Sequence, residues 1–277
     1  MERKDATFSG AGNRFSTGLK RVRSWIQPCL IASFIALLGF SLIAQDSPTS
    51  SLVELVKNPR SVEPDHVTFD LHGWTIHLHD RFLDDDSGVT GRALELLNGQ
   101  LKRVVEAVPA EPLKQLRAVP LWINPEYEGK RGGAEYHGNI NWLRENGRNP
   151  KMVKAVEITN VKNFPFENRR MPYLLLHELT HAYHDQILKD GFQNPELKAA
   201  YERARGSGTY DSVARFNGNK IIKDKAYGMN NPMEYFAEST EAYFGKNDFF
   251  PFNREELEKH DPRMCALVGK LWKVESP

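Results

Sequence analysis

The sequence predicts an α+β fold: a small mixed sheet with one long helix in the first half, and helices through the second. Two observations carry this. Period-two alternation and short apolar runs stop near residue 160, and 3.6-period patterns dominate beyond residue 169. In addition, 40% hydrophobic and 26% charged residues over 277 positions suit one packed domain and exclude wholesale disorder.

The elements follow in order. Residues 1–44 carry Lys20, Arg21 and Arg23 ahead of an uncharged apolar run from Leu30 to Ala44, the pattern of a secretory signal peptide. The alternative is a retained membrane anchor over residues 25–44, although Gln27 and Pro28 spoil its first turn. Secreted or extracytoplasmic placement is therefore expected. Residues 45–65, rich in Ser, Pro and charge, read as a flexible lead-in to a single domain at 66–277. DHVTFDLHGWTIHLHD alternates as a hairpin bending at His72-Gly73. GRALELLNGQLKRVVEAV is an amphipathic helix, apolar at Leu94, Leu97, Leu101, Val104, Val105 and Val108, and Pro109 stops it. LRAVPLWIN is a strand in which Pro120 marks an edge or a start. A short strand at Glu135–His137 lies in the glycine-rich GKRGGAEYHGNINW, and KAVEITN is a further strand. RRMPYLLLHELTHAYHDQILKDG reads as one long helix ended by Gly191. NPELKAAYERARGSG is a shorter helix, followed by a polar stretch to Asn231. NPMEYFAESTEAYFG is the next helix, with Asn231 as cap and Pro232 as first residue. EELEKHDPRMCALVGKLWKV makes two short helices or one bent at Pro262.

Lys plus Arg number 37 against 36 Asp plus Glu, so nothing points to a nucleic-acid partner. Without residues 1–44 the net charge becomes −3 and only Cys265 remains, so an exported chain holds no internal disulfide. Cys265 falls in an apolar helical pattern and reads as core. No phosphate-binding glycine loop and no G-x-S-x-G nucleophile elbow appears.

The chemistry concentrates in His177-Glu178-Leu179-Thr180-His181. Residues four apart on a helix lie one above the other, so the two imidazoles converge on one point and can bind Zn²⁺. Glu178, about 100° further round, faces the water such an ion activates. A catalytic zinc needs a third protein ligand and an open position. His184 is near in angle but would crowd three ligands onto one rod; a substrate contact or the helix surface are its other readings. A histidine ten residues after the first is excluded, because Ile187 stands there. Glu234, Glu238 and Glu241 form an acidic stripe at i, i+4 and i+7 on an otherwise apolar and aromatic helix, which a cation or histidines would compensate. Glu234 could be a capping residue only, and Glu241 reads as solvated. His72, His77 and His79 read as a wet strand face. Tyr201, Tyr210 and Phe216 wall a cleft or pack beneath a loop.

HELTHAYHD followed by KAYGMNNPMEYFAESTEAYF resembles the glutamate-ligand zincins, the metallopeptidase family of the anthrax lethal factor catalytic domain and its secreted bacterial relatives. The resemblance spans roughly residues 110–250 and is tightest in the two helices. It implies a zincin-like fold, Zn²⁺ as cofactor and a peptide or protein substrate. It also implies Glu234 as third ligand, Glu238 and Asp185 behind the ligands, and Tyr227 beside the transition state. His184 departs from the family, which has an acidic residue there. By analogy with strand addition to an edge, Ala134, Glu135, Tyr136 and His137 become candidates for pairing with substrate. The reading is a secreted zinc endopeptidase with Glu178 as general base. A non-catalytic zinc-clasped binding or surface protein, and a zinc amidase acting on cell-wall peptides, are the alternatives.

Overall fold

The structure, a computed structural model, describes residues 61–83, 88–130, 132–159 and 161–274; the leader or anchor segment and most of the lead-in lie outside them. Strand β1 (Ser61–Glu63) pairs antiparallel with β2 (His66–Leu71), so the sheet begins within the segment expected to be a tether. β2 turns into β3 (Trp74–His79) at His72-Gly73, where both residues have positive φ (53° and 90°). Two consecutive left-handed residues match the twist of a tight hairpin, and glycine supplies the second without strain.

Helix α1 (Val89–Ala107) buries Leu94, Leu97, Leu101 and Val104 against the sheet, as its spacing predicts. A short helix α2 (Ala110–Leu116), not foreseen, follows Pro109 directly. Strand β4 (Leu121–Ile123) starts just after Pro120 and is central, so the proline marks a start and not an edge. Strand β5 (Ala134–Tyr136), helix α3 (Ile140–Glu145) and strand β6 (Val156–Ile158) complete a six-stranded sheet of order β1-β2-β3-β4-β6-β5. β3, β4 and β6 are parallel; β5 is antiparallel to β6 and forms a free edge.

The expected single helix over 169–191 is two. α4 (Phe164–Arg170) ends before Pro172, and α5 (Leu174–Gln186) begins after it. Proline forbids the helical hydrogen bond there and biases Met171 away from helical geometry. α1 supplies what the break exposes. Gln100 Oε1 accepts the Leu175 N–H at 2.8 Å, and Arg103 donates to the Pro172 carbonyl. α5 stops at Gln186, and Gly191 (φ 51°) turns the chain where a Cβ would meet the Asp185 carbonyl oxygen at 2.8 Å.

Helix α6 (Pro195–Ser207) leads into a hairpin, β7 (Val213–Phe216) and β8 (Ile221–Asp224), within the stretch read as merely polar. Helix α7 (Pro232–Phe244) has Asn231 as N-cap, accepting from Glu234 N, with Pro232 first. α8 (Arg254–His260) and α9 (Pro262–Leu271) are two helices separated at Asp261, which caps the second. α9 seats α5 and α7. Tyr183 stacks on Trp272 at 4.2 Å, and Trp272 donates to Thr240 Oγ1. Leu175, Leu176 and Leu179 are solvent-free, each contributing about 1.5–3 kcal/mol of burial. Cys265 is buried and unpaired, as expected. Mixed sheet first, helices after: the α+β architecture holds. Among the described residues no helix is long and apolar enough to cross a membrane.

Candidate metal centre

α5 and α7 pack side by side, and their sequences place three donors at one point. His177 and His181 present their rings from consecutive turns, with centroids 4.9 Å apart and planes at 83°. Glu234 comes from the first turn of α7. Its backbone N–H is spent on the Asn231 cap, but its side chain does not return to the cap. Glu234 Oε2 lies 3.0 Å from His177 Nε2 and 3.4 Å from His181 Nε2. Donors holding zinc tetrahedrally at about 2.0–2.2 Å stand about 3.3–3.5 Å apart, so this triangle needs little adjustment to close on an ion. Among the described residues, His177, His181 and Glu234 form one of two groups able to hold a metal.

The charge balance also calls for a cation. Burial alone would lower the His177 pKa, but hydrogen bonds to Glu234 and Glu241 outweigh it and hold the ring well above its ordinary value. The two imidazoles pull Glu234 far below the carboxylate range despite its burial. Burial pushes Glu178 up, against the attraction of both histidines. Positive charge is favoured where these carboxylates and imidazoles meet.

Behind His177 the structure corrects two expectations, at Glu241 and at Asp185. Glu241 is not solvated: it is wholly buried, and its Oε1 lies 2.7 Å from His177 Nδ1. Burial pushes its carboxyl up to about 7, opposed by His177 and Arg170. Glu238 has a carboxylate oxygen within 4.8 Å of a His177 ring nitrogen and accepts from Asn247 at 2.9 Å, with Glu241 and Asp248 as buried acidic neighbours. Asp185 touches no ligand imidazole. It accepts from Tyr136 Oη at 2.8 Å and pairs with Lys154, tying the end of α5 to β5. The second metal-capable group, His177 with Glu238 and Glu241, shares the ring already counted.

The free edge β5 forms the opposite wall. Gly133, Ala134, Glu135 and Tyr136 line a cleft of about 420 Å³ together with His177, Glu178, His181, Tyr227 and Glu234. Tyr136 N–H donates to Glu178 Oε2 at 3.0 Å, fixing the acid against the strand. Residues 133 and 137 bond inward to β6, so in an antiparallel ladder Ala134 turns its backbone groups outward. Tyr227 stands 45% exposed on the cleft, just ahead of α7, its pKa raised by desolvation and by Glu234.

His137 is a correction: it does not line the metal cleft but lines the hollow beside it. Its Nε2 meets Glu157 Oε2 at 2.8 Å, and Arg148, Asn124 and Tyr127 also donate to that buried carboxylate. This hub pins β5, and its Glu157 and Arg148 also line the metal cleft. Its signal was a lone glutamate inside the apolar strand segment VEI.

His184 is neither surface nor cleft wall. It is 1% exposed, with both ring nitrogens unpartnered, between Phe192 and Phe236. Burial lowers its pKa from 6.5 to about 4. The unfolded chain therefore takes up this proton first as pH falls. Stability present above about pH 6.5 is lost on the way down to about pH 4, by about 3 kcal/mol. Urea titrations between pH 7 and 4.5 are expected to show His184→Phe losing markedly less stability than the parent; equal losses would refute this source of acid sensitivity.

The remaining sequence candidates lie away from the metal cleft, with His72, His77, His79 and Phe216 partly exposed. His77 shares a hydrogen bond with Thr68 and lies over Trp122, while His72 reaches Asn98. Tyr201 and Tyr210 are buried against Tyr235. No family model, curated protein or solved structure matches the chain.

Proposed function

We propose that the chain is a zinc-dependent endopeptidase with a zincin-like fold, acting on extended peptide segments outside the cytoplasm. The observation that carries this reading is the carboxylate of Glu234 lying within 3.4 Å of both helix-borne imidazoles while Glu178 faces the same cleft from between them. Zinc bound there would polarise a peptide carbonyl and make water acidic enough to attack it at neutral pH.

The chain's own groups then divide the work. His177, His181 and Glu234 would hold the ion beside the cleft. Glu241 orients His177 through Nδ1, fixing which nitrogen is free to bind. Glu178 takes a proton from the attacking water and passes it to the leaving amine. Burial raises its basicity, and the Tyr136 N–H aims it. Tyr227 donates to the oxygen that gains charge. The outward backbone groups of Ala134 hold the peptide extended as an added strand. Glu178, which lines the cleft beside the three donors, favours this reading over a zinc-clasped binding protein, which needs no acid there beyond its bond to Tyr136.

The test is digestion of an unfolded protein and of cell-wall fragments by metal-replete chain, with and without chelator. Cleavage of the former alone, abolished by chelation and restored by zinc, is expected. Zinc binding without cleavage would favour the clasp, and cleavage of cell-wall peptides alone would favour an amidase. Tyr227→Phe is expected to lower kcat by a factor of about 10²–10³ with little change in KM. An unchanged kcat would remove Tyr227 from the chemistry.

A further inference from the structure

Beyond the C-terminal end of β5 lies a second hollow of about 640 Å³, which the mechanism above does not use. Trp142, Ile140, Val153 and Phe192 wall it. We propose that this hollow is a binding subsite for one large apolar side chain, aromatic or leucine-like, of the same extended peptide. The proposal rests on the peptidase reading for the identity of the ligand.

Continuity is the first argument. Glu135, Tyr136, Gly138 and Phe192 line both this hollow and the metal cleft, so a chain laid along β5 passes from one to the other. Spacing is the second. Asp185, on its wall, stands four residues after His181, about 6 Å along α5. Two residues of extended peptide cover about 6.6 Å. The side chain that enters is therefore two or three residues from the cleaved bond.

The chemistry of the wall selects the ligand. Two of its charged groups, Lys154 and Asp185, already satisfy each other, and Glu135 sits half exposed at the rim toward the metal cleft. Lys154 donates to the Gly138 carbonyl and to Asp185, which also accepts from Tyr136 Oη. What faces the space is mostly aromatic and aliphatic surface. The wall is also rigid. Trp142 stacks on His137, with centroids 5.6 Å apart and planes at 24°, and His137 is held by the Glu157 hub. Asn139 caps the α3 turn that carries Trp142. Gly138 is tightly enclosed: a Cβ there would sit 3.2 Å from Asp185 Oδ2 and 3.4 Å from Phe192 and Tyr136, so the Asp185 side chain would have to give by a few tenths of an ångström. A preformed apolar slot of this kind gains affinity from a fitting side chain without an ordering cost.

The experiment uses the full zinc-loaded chain carrying Glu178→Gln, with fluorescent peptides scanned through Phe, Leu, Ala, Ser and Glu at every position. Anisotropy reads affinity, and the uncrippled chain reports the cleaved bond. Phe or Leu is expected to bind about tenfold or more tighter than Ala at one position, two or three residues from that bond. Trp142→Ala should erase this preference while zinc content stays unchanged. Because Trp142 also packs on Leu143 and Met152, Ile140→Asp serves as a second variant. It places a charge in the slot at the first position of α3, where an acidic residue is tolerated. A chain that cleaves peptides with no such preference, or whose preference survives both variants, overturns the subsite and leaves the peptidase reading intact. A chain that shows the preference in binding but cleaves nothing keeps the subsite and overturns the peptidase reading.

Discussion

Glu178→Gln is expected to lower kcat by a factor of about 10²–10⁴ while zinc content and fold remain unchanged. Glutamine keeps the shape and can still accept the Tyr136 N–H, so the edge strand stays in place. It cannot take a proton from water. Stopped assays on a peptide of known cleavage site, with metal measured on the same sample, read both halves of the claim. Activity retained at the parental level would show that another group serves as base. Loss of zinc along with activity would mean that Glu178 supports the metal instead of the water.

The second large effect is expected at Glu241, on metal affinity. Its carboxylate is the partner of His177 Nδ1, and ligand histidines deprived of such a partner lose about 10–100-fold in affinity. Glu241→Gln removes the negative charge but keeps an acceptor, so it should fall at the lower end; Glu241→Ala should fall at the upper end. Glu238→Gln is the control. Its carboxylate hydrogen-bonds Asn247, so competition against a chromophoric chelator should move far less. Equal shifts in the Glu238 and Glu241 variants would mean that buried charge near the site, not a specific contact, sets affinity.

The two helices that carry the donors were legible because their local rules agree. The HELTH spacing, the Asn231 cap and Pro232 at the first position each act within one turn. The edge strand was legible to within one residue, since a short alternating run among glycines has few other uses. What failed was whatever needed a second element to decide it. An acidic stripe looks the same whether its third member faces water or a neighbouring helix, and only the packing of α5 against α7 buries Glu241. His184 is similar. Its place on the helix was known, but not that Phe192 and Phe236 close over it. The proline at 172 lay inside the segment read as one long helix, and it separates two helices. The β7–β8 hairpin escaped because its anchor is distant: Phe216 N–H donates to the Asp248 carbonyl and Phe250 N–H to that of Ala214.

The bond from Tyr136 to Glu178 commits one rung of the edge strand before any ligand arrives. A peptide laid on that edge must begin its ladder at Ala134, because the neighbouring amide is already engaged. A compound offering an acceptor at Tyr136 would have to win that amide from the acid, leaving Glu178 unaimed. Under the peptidase reading such a compound would inhibit through the strand and not through the metal donors.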